Sequence, residues 1–301
     1  MNRFSLLFLL MVFFLSGPAF AWYPLEPDQS FLPPGNPAPI VGVNPVYTIK
    51  ANESLVELAF RAGVGYENLA NANPGVDPWM PPKGQRIVIP YEAIVPQKPE
   101  PGIVINIPEF RLYHFWRENG RLRLRIYPIG IGREGWDTPV GRFFLASKVR
   151  NPTWMVPESI RNERPNQPTM VPPGPDNPLG GYWLGLSIKG YGIHGTHRPL
   201  GVGRRVSHGC IRLYPRDIDD LFSRVEVKTP VTIVYQPVKV GVRDNKLWAE
   251  IYPDQREQPG NMVNEILRMR ALLEWEGKID WPRVWREMEK KSGLPFAISE
   301  R

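Results

Sequence analysis

The chain has 301 residues but only one cysteine and four histidines. A single cysteine excludes an internal disulfide, so Cys210 is either a buried, inert residue or a reactive thiol. The sequence also has little in the way of long hydrophobic runs: the apolar stretch Phe4–Leu15 is shorter than the ~20 residues that a membrane span needs. No other stretch comes closer, so we expect a protein that does not span a membrane.

The first residues have the pattern of a cleavable export signal. Arg3 is the lone charge before the apolar run, and small residues precede a cleavage point after Ala21. A transmembrane anchor is the alternative, but the run is short and breaks at Gly17-Pro18. No cysteine follows the cleavage point, which argues against a lipid anchor. We therefore expect residues 1–21 to be a signal peptide and the mature protein to be exported.

The positive net charge of the chain excludes few classes of binding partner. The formal net charge is +7, and it falls to +6 without residues 1–21, which carry one Arg and no acid. Such a charge could suit nucleic acid, a membrane surface or an anionic wall polymer. The Lys and Arg residues are scattered and form no stripe, and export argues against nucleic acid. We therefore expect no nucleic-acid partner.

Two of the four histidines lie close to Cys210 in the sequence, at glycine-containing turns. The segment Ser207–Leu213 reads Ser-His-Gly-Cys-Ile-Arg-Leu, and His194 lies sixteen residues before the cysteine, in Ile193–Thr196. A thiolate attacks where a thiol does not, so a nucleophilic cysteine needs a base or a positive charge beside it. His194 and His208 are the candidates. The arrangement favours a catalytic thiol over an inert one.

A metal site is the competing interpretation of these residues. Four side chains in this region are competent zinc ligands, namely His194, His197, His208 and Cys210. A zinc hydrolase also needs an acidic general base, and no acidic residue lies between Asp176 and Asp217. We therefore expect no metal and no other cofactor.

Together the two motifs resemble the signature of the L,D-transpeptidases, cysteine enzymes of bacterial peptidoglycan. The resemblance covers about residues 102–234, and Thr138–Phe143 matches another segment common in that family. It implies a mainly β catalytic domain built on a β-sandwich-like mixed sheet. Many members have Asn two residues after the cysteine, where this chain has Arg212. We expect that difference to affect substrate detail and not the reaction.

The resemblance also implies roles for individual residues. Cys210 is the nucleophile and His194 the base, which either takes the thiol proton or shares it as a thiolate–imidazolium pair. Gly195 orients His194 through its carbonyl, and the N–H groups of Gly209 and Cys210 face the developing oxyanion. His208 shapes this turn or is a structural histidine. The substrate-binding candidates are Arg212, Ser207 and Tyr191.

The substrate that the resemblance implies is the tetrapeptide stem of peptidoglycan. Cys210 attacks the carbonyl at the L-centre of meso-diaminopimelate, D-Ala leaves, and the thioester passes to an amine. The favoured acceptor is a lysine of an outer-membrane lipoprotein; 3→3 cross-linking and L,D-carboxypeptidase activity are the alternatives. A non-catalytic peptidoglycan-binding protein is the alternative of another class. Arg212 holds a stem carboxylate, or instead pairs with Asp217 or Asp219.

Residues 46–90 resemble a LysM module, a family that binds glycans containing N-acetylglucosamine, such as peptidoglycan. The expected order is strand, helix, helix, strand. Ser54–Glu57 is a capping box that opens the first helix, and Tyr66–Ala72 forms the second. The usual Gly-Asp-Thr turn of the family is here Asn52–Ser54. A packing domain that no longer binds glycan is the alternative.

The chain divides at proline-rich stretches. Residues 151–180 predict a long loop, either a lid or wall beside the cysteine or a surface Ω-loop. The end of the chain predicts an α-helical extension, with helices at Asn261–Trp275 and Pro282–Lys291 after two short strands. It packs on the catalytic domain or docks a partner. The expected units are a signal peptide (1–21), a proline-rich arm (22–45), a LysM-like domain (46–90), a linker (91–101), a catalytic domain (102–235) and an extension (236–301), in a periplasmic protein.

Overall fold

The computed structural model describes residues 32, 38–96, 99–254 and 261–300. The predicted signal peptide and most of the predicted arm lie outside these residues. Within them the protein is mainly β, with six α-helices. No helix in these ranges is long and apolar enough to cross a bilayer.

The N-terminal part contains the small βααβ unit that the sequence predicts. Its elements are β1 (Ile40–Val41), β2 (Val46–Thr48), α1 (Leu55–Ala62), α2 (Tyr66–Ala72), β3 (Arg86–Val88) and β4 (Ala93–Ile94). The Glu57 N–H donates to Ser54 Oγ at 3.2 Å and the Ser54 N–H to Glu57 Oε2 at 3.3 Å, which confirms the capping box. Gly63, at φ +67°, ends α1. Strands β2 and β3 pair antiparallel beside the helices.

The middle of the chain builds an eight-stranded mixed sheet. Its elements, in chain order, are β5 (Gly102–Asn106), β6 (Arg111–Glu118), β7 (Arg121–Pro128), β8 (Ile131–Gly132), β9 (Gly141–Arg150), β10 (Trp154–Met155), α3 (Glu158–Glu163), β11 (Met170–Val171), β12 (Tyr182–Leu186), β13 (Gly192–His194), a 3₁₀ turn (Pro199–Gly201), β14 (Arg205–Ser207), β15 (Ile211–Arg212), α4 (Pro215–Arg224) and β16 (Pro230–Val234). The strand order is β15-β13-β12-β9-β16-β5-β6-β7, with parallel pairs β13–β15 and β16–β5.

Local signals in the sequence account for much of this sheet. Asn119 and Gly120 both have positive φ, as a two-residue type I′ hairpin between β6 and β7 requires. Helix α4 buries Ile218 and Leu221 against the core cluster under the sheet. Strand β6 is buried along most of its length, which the alternating pattern of its neighbour β7 does not suggest.

The predicted linker is the reason for that burial. Strand β4, inside the predicted linker, pairs with β1, and the side chains of Ala93 and Val95 pack on Tyr113 and Phe115 of β6. Residues 91–95 therefore cover a face of the sheet and are not a free tether, because the outer face of β6 is apolar and needs a cover.

The predicted loop 151–180 is also more ordered than its prolines suggest. It contains helix α3 and the short antiparallel pair β10–β11. Asn177, fully buried, ties it together: Nδ2 donates to the Pro152 carbonyl at 2.8 Å and Oδ1 accepts from the Leu179 N–H at 2.9 Å. The predicted long loop thus contains short regular elements, and a buried amide supplies hydrogen bonds that its prolines cannot donate.

The C-terminal extension has its own core. Its elements are β17 (Val238–Arg243), β18 (Lys246–Ile251), α5 (Asn261–Leu272), α6 (Trp281–Lys290) and β19 (Phe296–Ala297). The predicted helices and both predicted strands are present; β19 is an addition that completes a three-stranded antiparallel sheet. The extension is therefore not purely helical.

A buried ionic cluster joins the extension to the middle of the chain. Lys239 Nζ lies 2.7 Å from Glu109 Oε2 and 3.1 Å from Glu250 Oε2, and Arg111 Nη1 lies 2.8 Å from Glu250 Oε1. All four side chains are almost completely buried. Lys239 also donates to the Ile94 carbonyl at 2.5 Å, so the linker enters the same cluster.

The LysM-like unit docks on two segments that flank the motif cysteine in the sequence. The Tyr214 hydroxyl donates to the Val64 carbonyl at 2.9 Å, and the Glu67 N–H donates to the Gly203 carbonyl at 3.1 Å. The Arg204 guanidinium lies 3.8 Å from the centre of the Tyr66 ring, within cation–π range. The unit is thus held by polar and stacking contacts on both sides of β14.

Candidate active site

Parallel pairing of β13 with β15 brings the two sequence motifs together. Ile193 is in register with Ile211, and His194 with Arg212. The Leu213 N–H donates to the His194 carbonyl at 2.9 Å and continues this pairing. Cys210 directly precedes β15, so it lies at the same sheet edge as His194, and both line one cavity.

The tautomer of His194 is fixed by its neighbour. His194 Nδ1 lies 2.6 Å from the Gly195 carbonyl oxygen, which can only accept, so Nδ1 carries the hydrogen and Nε2 keeps a free lone pair. The predicted contact with Gly195 is therefore present. Burial and, to a smaller extent, the charge of Arg212 lower the pKa of His194 to about 3, although the hydrogen bond with Gly195 opposes this shift. His194 is a neutral base at physiological pH.

An aromatic ring supports the imidazole, and the sequence analysis did not identify it. Trp183 on β12 is in register with His194, and the two rings stack with centroids 5.9 Å apart. Gly192 leaves the space for this ring, since a Cβ there would lie 2.5 Å from the indole. The only signal in the sequence is that Trp183 begins the short run Trp183–Leu186, which is typical of a strand, and that Gly192 follows it closely.

The thiol of Cys210 is protonated at rest. Its Sγ lies 3.6 Å from the Gly190 carbonyl, to which it donates. Burial raises the pKa of Cys210, although the Gly192 N–H and the Arg212 charge act in the opposite direction. With a neutral imidazole and a neutral thiol, the resting pair is not a thiolate–imidazolium. Of the two protonation states that the sequence allows, the geometry favours removal of the proton during attack.

The turn before the cysteine corrects two predictions. Ser207 Oγ donates to the Cys210 carbonyl at 2.6 Å and accepts from the Gly209 N–H at 3.1 Å, and Ser207 is buried. The Ser207 hydroxyl is thus used inside the turn, not for substrate. Because the Gly209 N–H is also used there, it is not free for an oxyanion. Gly209 has φ +98°, a conformation that explains the glycine.

Thr138 holds this turn from the other side. Its Oγ1 accepts from the Gly132 N–H at 3.0 Å and donates to the Gly209 carbonyl at 3.0 Å. Thr138 is buried, so the hydroxyl links two backbone groups in a region with little water. The motif Thr138–Phe143 was noticed in the sequence, but only the fold shows that its first residue contacts the catalytic turn.

His208 lines the cavity around Cys210, and its Nε2 is engaged with the loop 151–180 and with Arg133. Its Nε2 lies 3.1 Å from Glu163 Oε2 at the end of α3 and 3.0 Å from Arg133 Nη2. Arg133 also pairs with Glu163 at 2.6 Å. The hydrogen bond from His208 is the largest cause that lowers the pKa of Glu163. His208 therefore ties the turn to the loop and is not the base for Cys210.

Tyr191 supports the turn from behind. A Cβ on Gly209 would lie 2.5 Å from Tyr191 Cε1, and Tyr191 packs against the main core cluster. It is absent from the lining of the cavity around Cys210. The prediction that Tyr191 binds substrate therefore has no geometric support, because its ring fills the space beneath the turn.

Arg212 lies in the cavity without a carboxylate partner among the residues that the structure describes. Its Nε is inaccessible to solvent and has no hydrogen-bond partner. Asp217 instead lies beside Arg216, at 3.5 Å. The alternative that Arg212 pairs with Asp217 or Asp219 was therefore wrong. Its backbone is fixed by a pair of hydrogen bonds with Gly130, at 2.8 and 2.9 Å.

The cavity around Cys210, here called the thiol cavity, has a volume of about 430 Å³. One wall comes from the loop 151–180, and the strands supply the floor with Cys210, His194 and Arg212. Wall residues are Trp154, Met155, Pro157, Ile160 and Leu179. Across the described ranges, no three His, Cys, Asp or Glu side chains come together in a way that could hold a metal ion.

Two regions of the chain are similar to known protein families. Residues 100–233 match the YkuD family, described as the L,D-transpeptidase catalytic domain, and residues 47–90 match the LysM domain. The probable L,D-transpeptidase YcfS of Escherichia coli (strain K12) is 39% identical over 285 residues, which cover 89% of this chain and 87% of that protein. The probable L,D-transpeptidase ErfK/SrfK of Salmonella typhimurium is 34% identical over 292 residues, covering 92% and 91% respectively. The probable L,D-transpeptidase YbiS of E. coli (strain K12) is 34% identical over 303 residues, covering 96% and 95%.

Proposed function

The chain belongs to the L,D-transpeptidase family with a YkuD catalytic domain, and on this premise we propose that it transfers peptidoglycan stems through Cys210. The observation that carries the proposal is that Cys210 and a neutral His194 line the same cavity. His194 Nδ1 is held by Gly195 at 2.6 Å, which leaves Nε2 as the free base. The donor is the tetrapeptide stem, the product bond is a thioester, and D-Ala is released.

The first half-reaction begins with a change in the thiol hydrogen bond. The Cys210 S–H, directed at Gly190, turns to His194 Nε2, which takes the proton as the sulfur attacks the carbonyl at the L-centre of diaminopimelate. The charge that develops on the carbonyl oxygen is stabilised by the Cys210 N–H, the amide that the turn leaves unused. His194 then gives its proton to the departing nitrogen of D-Ala.

The second half-reaction reverses these roles with a new amine. An acceptor amine enters the thiol cavity, His194 removes its proton, and the amine attacks the thioester carbonyl to free Cys210. We propose a lysine of an outer-membrane lipoprotein as the acceptor. The amine of a second diaminopimelate would instead give a 3→3 cross-link, and water would give L,D-carboxypeptidase activity.

Loop 151–180 is proposed as a wall of the substrate site. It contributes Trp154, Met155 and Ile160 to the cavity, and the Glu163–His208 contact at 3.1 Å fixes its far side to the catalytic turn. An Ω-loop that merely covers the surface would not need this tie. The apolar wall would exclude water from the thioester and favour an amine over hydrolysis.

The LysM-like unit is proposed to hold the glycan. Its loop between α2 and β3 presents Trp79, 64% exposed, and Met80, 81% exposed. Asp77 Oδ1 accepts from both of their backbone N–H groups, at 2.8 and 3.0 Å, which fixes the backbone of this loop. An ordered, exposed indole is a suitable platform for a sugar face.

Replacing Trp79 tests the glycan role directly. We expect Trp79→Ala to weaken binding to purified sacculi about tenfold and to leave turnover of a soluble stem peptide unchanged, because Trp79 is outside the thiol cavity. Sedimentation with sacculi and D-Ala release measure the two properties. Unchanged sacculus binding would favour the packing-domain alternative. Action on sacculi implies an exported protein, and we propose the periplasm as its location.

The acceptor is tested with wall fragments. Cells that express the protein, compared with cells that express Cys210→Ala, should contain stem fragments joined to a lipoprotein lysine, detected by mass spectrometry. Cross-linked diaminopimelate dimers in place of these fragments would identify the 3→3 reaction. No difference between the two strains would favour the non-catalytic binding protein.

A further inference from the structure

A second cavity adjoins the thiol cavity. It has a volume of about 260 Å³ and shares Trp154, His208 and Arg212 with its neighbour. Three arginines line it, namely Arg164, Arg198 and Arg212. We call it the arginine cavity. A group bound there would be continuous with a peptide whose carbonyl lies at Cys210.

Positive charge in the arginine cavity is poorly compensated. One acidic side chain, Asp176, lines it against three guanidinium groups. Burial is the main cause that lowers the pKa of Arg212; Cys210 opposes the shift, and the charges of Arg198 and Arg164 add to it, as expected for neighbouring cations. Like charges placed together cost free energy unless an anion joins them.

The hydrogen-bonding capacity of Arg212 gives an independent observation. Its Nε has no solvent access and no hydrogen-bond partner. No carboxylate of the described residues pairs with this guanidinium, and a largely buried cation without a counter-ion costs free energy that a bound anion would recover. Guanidinium groups present donors in a planar fork, which suits a carboxylate held by two parallel hydrogen bonds.

Three separate elements bring these arginines together. Arg164 caps the C-terminus of α3, Arg198 precedes the 3₁₀ turn, and Arg212 is on β15. The Arg198 N–H is fixed by Thr196 Oγ1 at 2.9 Å. Arg164 is placed by its neighbour Glu163, which is held by Arg133 and His208. The contacts of Glu163 with Arg133 and His208 thus position Arg164 at the cavity.

We propose that the arginine cavity binds a free carboxylate of the peptide stem and selects stems with carboxylates over stems in which the same groups are carboxamides. The proposal rests on the transpeptidase function proposed above, and it identifies the carboxylate as the group of the substrate that this site recognises. The carboxylate can belong to the donor stem or to the acceptor. Arg164 and Arg198 are binding residues for it and take no part in bond-making.

Binding to an inactive enzyme tests the proposal without turnover. Full-length Cys210→Ser is titrated calorimetrically with a tetrapeptide stem and with the same peptide carrying carboxamides. We expect the carboxylate form to bind about tenfold more tightly, the usual worth of one charge-assisted hydrogen bond. Adding Arg198→Gln or Arg164→Gln should reduce this preference to about twofold, because one charge-assisted hydrogen bond to the carboxylate is lost. Adding Arg286→Gln, an exposed arginine on α6, removes the same charge far from the cavity and should leave the preference intact.

Two kinetic arms identify the source of the carboxylate. The first compares D-Ala release from carboxylate and carboxamide donors. The second compares transfer from a preformed acyl-enzyme to amine acceptors with or without a carboxylate. Loss of the preference in the first arm on Arg198→Gln assigns the site to the donor, and loss in the second assigns it to the acceptor.

Equal affinity of Cys210→Ser for the carboxylate and carboxamide peptides would overturn the proposal. So would an Arg286→Gln variant that loses as much preference as Arg198→Gln, because the effect would then be long-range charge. A carboxylate preference in binding together with no D-Ala release by the wild-type enzyme would refute the transpeptidase function and leave the binding site standing.

Discussion

The hydroxyl of Thr138 lies 3.0 Å from the carbonyl oxygen of Gly209 and donates to it. Through this bond, and the 3.0 Å bond that it accepts from the Gly132 N–H, one side chain fixes the backbone next to the nucleophile. The geometry of the Cys210 N–H depends on this turn. Thr138 is therefore a positioning residue for the oxyanion site.

Thr138→Val should slow acylation of Cys210 by about 10–100-fold, because the N–H of Gly132 and the carbonyl of Gly209 both lose a buried partner. Thr138→Ser keeps the hydroxyl and should stay within a few-fold of wild type. The rate of D-Ala release measures both variants, with circular dichroism as the check on folding. Equal rates in the valine and serine variants would show that the hydroxyl does not set the turn.

The resting protonation of the site predicts how Cys210 responds to pH. His194, with a pKa of about 3, stays neutral above pH 4, and burial keeps the thiol pKa above its ordinary value. Alkylation by iodoacetamide should therefore rise steadily with pH through neutrality and be slower at pH 7 than for free cysteine. A plateau between pH 5 and 8 would instead reveal a resting thiolate–imidazolium pair.

The same shift makes His194 a source of acid sensitivity. Its folded pKa of about 3 is below the ordinary value near 6.5, so the unfolded chain binds the extra proton between these values. The stability contribution from His194 is present above pH 6.5 and is lost as the pH falls toward 3. In His194→Gln, the free energy of unfolding should depend less on pH in this window. Urea titrations at several pH values measure it for both proteins. The same change with pH in the variant and in the wild type would contradict the assignment.

The buried ionic cluster predicts that the extension is integral to the fold. Lys239→Met leaves Glu109 and Glu250 with less compensation and should destabilise the protein by about 3–5 kcal/mol, or roughly 10 °C in Tm. Lys246→Met, an exposed lysine on the same sheet, is the matched control. Calorimetry compares them. Similar Tm values in both variants would mean that the cluster contributes no net stability.

The sequence predicts best what is determined locally. The capping box at Ser54, helix α2 and the Asn119-Gly120 hairpin depend on neighbouring residues, and each is where the pattern places it. The contact of His194 with Gly195 is between adjacent residues. Cys210 and His194 were found because their motifs are short and specific.

The contacts that could not be predicted from the sequence join residues that are far apart in the chain. Trp183 beside His194 and Thr138 beside Gly209 need the register of the sheet. His208 was a candidate base, but its Nε2 is engaged with Glu163, which belongs to a proline-rich segment with no recognisable helix signal. The linker was predicted from its prolines alone, because the contacts that bury Ala93 and Val95 against Tyr113 come from a distant strand.

The central claim is that Cys210 forms a covalent acyl-enzyme with His194 as its base. Intact-protein mass spectrometry of the enzyme with a tetrapeptide stem tests it over time. We predict that the mass of the protein increases by that of the stem without D-Ala, that the adduct maps to Cys210, and that an amine acceptor removes it. His194→Ala should slow adduct formation by about 10²–10⁴-fold. Cys210→Ser should form no adduct at a rate near that of the wild-type enzyme. An adduct that forms at the wild-type rate in either variant, or no adduct on the wild-type enzyme, would contradict the mechanism.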